Sequence, residues 1–329
     1  MIMKKNKNKT RKMGGTRVSR GICKFLIFIC IVFLFLSLPL LAREDNDKRN
    51  IIFQIDDPVG DDWGPGSYTY PRYKHFEPFK GLFDLTRFSI IDADPDYILE
   101  FAFTEIRDPW RSKYGFSHPL IQIYFDNQPG GSTELFRPGA RVKLDSNAPW
   151  DVMLNITGWW VRLFRPTDRE RVKSMKIPWN DTKNPFELSE AVVTLEENVI
   201  KVQLPKTIIG DLSKAKFFLL IGAFFPFGED HYREVKKVSD DWAFGGSTNP
   251  ELSPRVLDIL VPDGMVQEEV LKLSQNARDF VTIPYIAISR GTESMIFNEK
   301  ILIWVVTLIV IVLLALVIKI KSKKDPVRK

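Results

Sequence analysis

Asp56, Asp57, Asp61 and Asp62 place four carboxylates within seven residues. Like charges at that spacing repel one another unless a cation or basic side chains neutralise them. Carboxylate oxygens are hard ligands, so calcium is the natural candidate for a cofactor. The spacing is not that of an EF-hand loop, and the expectation rests on ligand chemistry alone. The bland alternative is a solvated acidic turn between two strands. Gly60, Gly64 and Gly66, with Pro58, Pro65 and Pro71, mark the stretch as a sharply folded loop.

A second chemistry is offered by aromatic rings, which stack on the apolar faces of sugars. Trp63 and Trp110 sit in turn-like contexts and read as exposed; Tyr68 and Tyr70 alternate just after the acidic run; Trp159 precedes Trp160. Adjacent residues of a strand point to opposite faces, so one of these last two is expected inside and the other outside. Such rings also fill cores and plug loops, and the two uses compete at every position. Glycoside hydrolysis needs two carboxylates across a cleft, and no spacing marks such a pair. G-x-S-x-G is absent, and His75, His118 and His231 are too scattered for a recognisable zinc site.

The elements that must position these residues are strands. Phe83–Ile90, Tyr97–Phe103 and Leu120–Phe125 alternate apolar with polar, punctuated by Asp94-Pro95-Asp96 and Asn127-Gln128-Pro129-Gly130-Gly131. Further strands are expected at Ile51–Ile55, Ala140–Leu144, Asp151–Ile156, Trp159–Phe164, Ala191–Leu195, Val199–Leu204 and Phe217–Ala223. The count and spacing predict an all-β fold, an antiparallel β-sandwich of jelly-roll-like type. Pro205–Gly210 reads as a single helical turn. Met265–Phe280 carries Val266, Val270, Leu271 and Leu273 at helical spacing and predicts a short amphipathic helix, with residues 281–300 as a tether.

The ends have a different character. Residues 1–24 hold nine Lys or Arg and no acid, and the apolar run Phe25–Leu36 continues to Ala42. This is the pattern of a secretory signal peptide, or of an uncleaved signal anchor. Ile301–Ile318 is an uncharged transmembrane candidate followed by a basic tail. Basic flanks stay on the cytoplasmic side, which puts residues 43–300 outside the cell membrane. The net charge of +6 hides this division. The leader carries +9 and residues 319–329 carry +5, so the remainder is −8. That balance and the lack of a dense basic run argue against nucleic acid as a partner. Cys23 and Cys30 both lie in the leader, so no disulfide holds the outer part.

The run DDPVGDDWGPGSYTYP resembles the opening of the C-terminal module of glucodextranases. The likeness continues through Phe79–Leu85, Asp108-Pro109-Trp110, Gly115-Phe116-Ser117, Pro149-Trp150-Asp151 and Gly158-Trp159. It closes with Phe244-Gly245-Gly246 and Pro254–Leu260. The resemblance implies a β-sandwich of the carbohydrate-binding or DOMON-like kind over residues 51–262, a binding or surface-association module without catalysis of its own. The resulting plan is a leader at 1–42, a linker at 43–50, the sandwich, a helix and stalk at 263–300, a span at 301–318 and a cytoplasmic tail at 319–329. The expected function is a membrane-anchored, extracytoplasmic module that binds a glycan, either an α-glucan or a cell-surface polymer. Two other classes stand beside it: an envelope assembly protein that binds another surface protein, and a glycoside hydrolase. An exposed aromatic strip beside a groove favours the first. A flat apolar patch favours the second. A buried carboxylate pair with raised pKa favours the third.

Overall fold

The computed structural model describes residues 49–174, 184–272 and 279–288. The leader, and the span and tail expected at 301–329, lie outside the described residues. Among the described residues no helix is long and apolar enough to cross a membrane.

Two antiparallel sheets face each other. The first contains β1 (Asn50–Asp56), β2 (Leu85–Ala93), β3 (Asp96–Phe103), β8 (Val192–Glu196) and β9 (Val199–Pro205). Their order is β1-β2-β3-β9-β8. The second contains β4 (Pro119–Asp126), β6 (Val152–Ile156), β7 (Val161–Phe164), β10 (Lys216–Ala223) and β11 (Val256–Ile259), in the order β11-β10-β4-β6-β7. A short β13 (Ile286–Ala287) pairs with the start of β10, and β5 (Val142–Leu144) pairs in parallel with β12 (Val281–Ile283). Three short helices connect strands: α1 (Asp168–Ser174), α2 (Lys206–Ile209) and α3 (Gln267–Lys272).

The two faces of each strand explain the layers. In β9 burial alternates residue by residue, and in β8 the outward residues are exposed, so the first sheet has one wet face. Phe88, Ile90, Leu99 and Phe101 on its inner face meet Ile121, Ile123, Phe125, Leu154, Phe217 and Leu219 of the second sheet in the main core. The second sheet is covered on its other face too. Tyr124, Trp150, Met153, Phe218 and Leu220 pack there beneath Phe136, Val142, Leu271 and Val281. This is why β4 is buried along nearly its whole length, although its sequence reads as alternating. Its one amide, Gln122, survives burial by accepting a hydrogen bond from Tyr124 Oη at 3.2 Å.

Three features differ from the sequence expectation. Strand β11 was unforeseen as a strand, because four residues containing an aspartate carry little pattern. The expected tether from 281 onward begins instead with β12 and β13, whose Val281, Ile283 and Ile286 are buried against the sandwich. Helix α3 is shorter than the expected Met265–Phe280 within the described residues. Asn155 points inward and accepts from Trp160 Nε1 at 2.9 Å.

Candidate functional site: a carboxylate nest beside an aromatic row

The loop after β1 folds back on the far edge of the other sheet. Gly64 N donates to Leu257 O at 2.9 Å, and Gln267 of α3 closes the gap, donating from Nε2 to Asp61 O at 2.6 Å and accepting at Oε1 from Ile259 N. Gly246 lets the 244–246 strand-like segment come close. It has φ +92° and an added Cβ would lie 1.9 Å from Ser67 O.

These contacts gather Asp57, Asp61 and Asp258, whose carboxylate oxygens come within 4.8 Å of one another. Asp258 arrives from β11, more than 190 residues from the loop it meets. It has no solvent exposure. One of its oxygens accepts from Leu85 N at 2.7 Å, while Oδ1 has no hydrogen-bond partner. Asp57 Oδ2 and Asp61 Oδ1 also lack partners. No Lys or Arg among the described residues forms an ion pair with any of the three. Burial and then the neighbouring Asp61 push Asp57 up to about 8, partly opposed by a hydrogen bond with Asp258. Burial and then Asp84 push Asp61 up to about 6. Burial and then Asp57 hold Asp258 well above the usual carboxylate range.

The other acids nearby are used differently. Asp84 accepts from Gly60 N at 2.9 and 3.0 Å and from Thr104 Oγ1. Asp62 is buried and accepts from Tyr70 Oη and from Phe83 N at 3.3 Å. Burial raises it to about 6, opposed by the Tyr70 bond. Asp56 is exposed at the end of β1 and stands outside the three-carboxylate group. The acidic run therefore divides: Asp57 and Asp61 converge, Asp62 braces the loop and Asp56 faces solvent. Asp258 was missing from the sequence-based set because nothing local ties it to the loop.

The tyrosines of the same loop correct the expectation of a sugar platform at Tyr68 and Tyr70. They are 3% and 6% exposed. Tyr68 Oη donates to Pro254 O at 2.7 Å, and Tyr70 Oη both donates to Asp62 and accepts from Leu82 N at 3.1 Å. Both rings are core. Trp63 is half-buried, edge-on to Tyr70 at 5.4 Å, with Nε1 donating to Gly60 O at 3.1 Å. Trp159 is half-buried over Phe224 at 4.7 Å, and Trp160 is the inner ring of the pair.

Trp110 belongs to a row. Its ring lies 5.5 Å from His75, His75 lies 4.8 Å from Tyr73, and Tyr73 lies 4.5 Å from Trp242. Three separate loops supply these four rings, and each is at least partly exposed. Asp108 fixes the Trp110 turn by accepting from Ser112 N at 2.9 and 2.8 Å. Gly158 lets that loop dock, since an added Cβ would lie 1.6 Å from Phe116 O. Trp242 is 44% exposed. Asp240 holds its backbone by accepting from Trp242 N and Ala243 N, and the buried Arg233 donates to Trp242 O at 2.7 Å. Lys236, then these backbone donors, hold Asp240 below the usual carboxylate range. Two clefts of about 360 and 390 Å³ adjoin at Arg72, one walled by Trp63 and Phe79, the other by Trp242 and Asp240. A larger cleft of about 650 Å³ beside Phe136 and Arg169 shares no residue with them.

A family model described as the C-terminal binding-module, SLH-like, of glucodextranase matches residues 52–284. The chain belongs to this family. No curated protein matches it. The match runs past residue 262 and takes in Gln267 and β12, which the structure packs on the sandwich. The family is one of binding modules and not of catalytic domains.

Proposed function

We propose that this glucodextranase-type module binds a glycan along the row Trp110–His75–Tyr73–Trp242, with Arg72 and Asp241 at its side for sugar hydroxyls. The observation that carries the reading is the exposed Trp242 ring, tilted 30° against Tyr73 at 4.5 Å, beside a cleft to which Arg72, Asp240 and Asp241 contribute. A ring held this way offers a flat apolar face at low entropic cost, because its backbone is already fixed from both sides. Sugar hydroxyls exchange water for protein with little net gain, so stacking supplies most of the affinity. Weak binding follows, about 10 µM to 1 mM, or about −4 to −7 kcal/mol.

The leader and the Ile301–Ile318 run support a cell-membrane location, with the module outside and the C-terminus in the cytoplasm. Many copies anchored in one membrane grip a polymer through effective concentration, which makes a weak site useful. The glycan is then an α-glucan or the cell's own surface polymer. Calorimetry of the full chain with soluble α-glucans and with purified envelope polysaccharide tests the reading. Saturable binding to one of them, lost in Trp242→Ala, is expected. If neither binds, an envelope protein partner takes the glycan's place.

A further inference from the structure

We propose that Asp57, Asp61 and Asp258 bind a calcium ion that clips the loop after β1 to strand β11. Strands β1 and β11 are the edge strands of the two different sheets. A cation shared by these three residues therefore adds a link between the two sheets beside the Gly64–Leu257 and Leu85–Asp258 hydrogen bonds.

The loop acids alone would carry no such argument, since clustered carboxylates are common on surfaces. Asp258 changes the case. It is fully buried, comes from a distant strand and aims an oxygen without a partner at the other two carboxylates. A buried carboxylate group without a basic partner is costly unless a cation or protons neutralise it. The ligands are all oxygen, which selects a hard ion. Three oxygens within 4.8 Å of one another lie inside the span of two calcium bonds of about 2.4 Å. Asp61 is partly exposed, so water can complete the shell and the ion has an entry path. Around this shell Gln267 holds the Asp61 carbonyl and Leu85 N holds the second Asp258 oxygen, which orients two of the ligands.

Calcium titration of the chelator-treated full chain by calorimetry tests this. One ion should bind, and Tm should rise with calcium by mass action. Asp258→Asn should weaken binding by at least about tenfold, the scale seen even for groups that only orient ligands. Asp61→Asn, on the solvent side, should do the same and serves if the buried variant fails to fold. Terbium provides a positional probe. Trp63, two residues from Asp61, should sensitise its emission, and Trp63→Phe should dim it while one calcium still binds. Absence of saturable binding by the folded chain at several millimolar calcium overturns the proposal. Wild-type affinity in Asp61→Asn does so as well. A third contrary result is a Tm that ignores calcium while Asp258→Asn is more stable than wild type, because protons would then be neutralising the cluster.

Discussion

At the scale of the residue, Tyr70 shows how one side chain changes meaning between sequence and structure. Read along the chain it is an aromatic beside an acidic loop, fit for a sugar. In the fold its hydroxyl closes a buried triangle with Asp62 and Leu82 N. Tyr70→Phe leaves a buried acceptor and a buried donor without that partner. It should destabilise the chain by about 1–3 kcal/mol in urea unfolding, with no change in m. His231 gives a pH prediction. Burial first, then Arg162 and Arg137, push it down to about 4, against 6.5 for the free imidazole. Below pH 6.5 the unfolded chain takes up a proton that the folded chain refuses. Its effect is therefore neutral above that pH, and stability is lost as pH falls from 6.5 toward 4. Between pH 7 and pH 5 wild type should lose about 2 kcal/mol more than His231→Gln. Equal losses would place the ring in solvent.

At the scale of the element, the strands of the two sheets were legible because their apolar residues recur in runs of five to nine. The runs at Tyr97–Phe103, Val199–Leu204 and Phe217–Ala223 match β3, β9 and β10 to within one or two residues. What stayed hidden was held by single long-range contacts. Strand β11 is short, and its aspartate reads as a surface residue until the loop from the other end of the chain covers it. The helix α3 was visible as a period, yet its working residue is the polar Gln267, placed between the apolar positions that define the period. That glutamine is buried and connects Asp61 to Ile259. Gln267→Met keeps the volume and removes its side-chain hydrogen bonds with Asp61, Ile259 and Leu257. It should cost about 1–3 kcal/mol, chiefly from the stranded Ile259 N–H, since Asp61 O keeps its bond from Trp63 N at 2.7 Å. Thermal melts of the two chains measure it, and an unchanged Tm would mean that α3 does not hold the loop.

At the scale of the whole molecule, the aromatic row could not be assembled from sequence. Trp110 was chosen there for its turn context, but Trp242 and Tyr73 lie far from it along the chain, and only the meeting of three loops makes them neighbours. Trp63 remains a wall of the adjoining cleft, and Trp159 sits over Phe224 apart from the row. The proposed orientation has its own test: protease added to intact cells should remove residues 43–300 and leave the tail. Protection of the entire chain until lysis would contradict it.

The central claim is that a glycan stacks on the row ending at Trp242. Affinity electrophoresis of the full chain through gels containing α-glucan or envelope polysaccharide tests it most directly, with Trp242→Ala and Trp159→Ala run beside wild type. The account predicts that one polymer retards wild type and Trp159→Ala equally, while Trp242→Ala migrates as in an empty gel. Equal retardation of all three, or retardation lost only in Trp159→Ala, would contradict it.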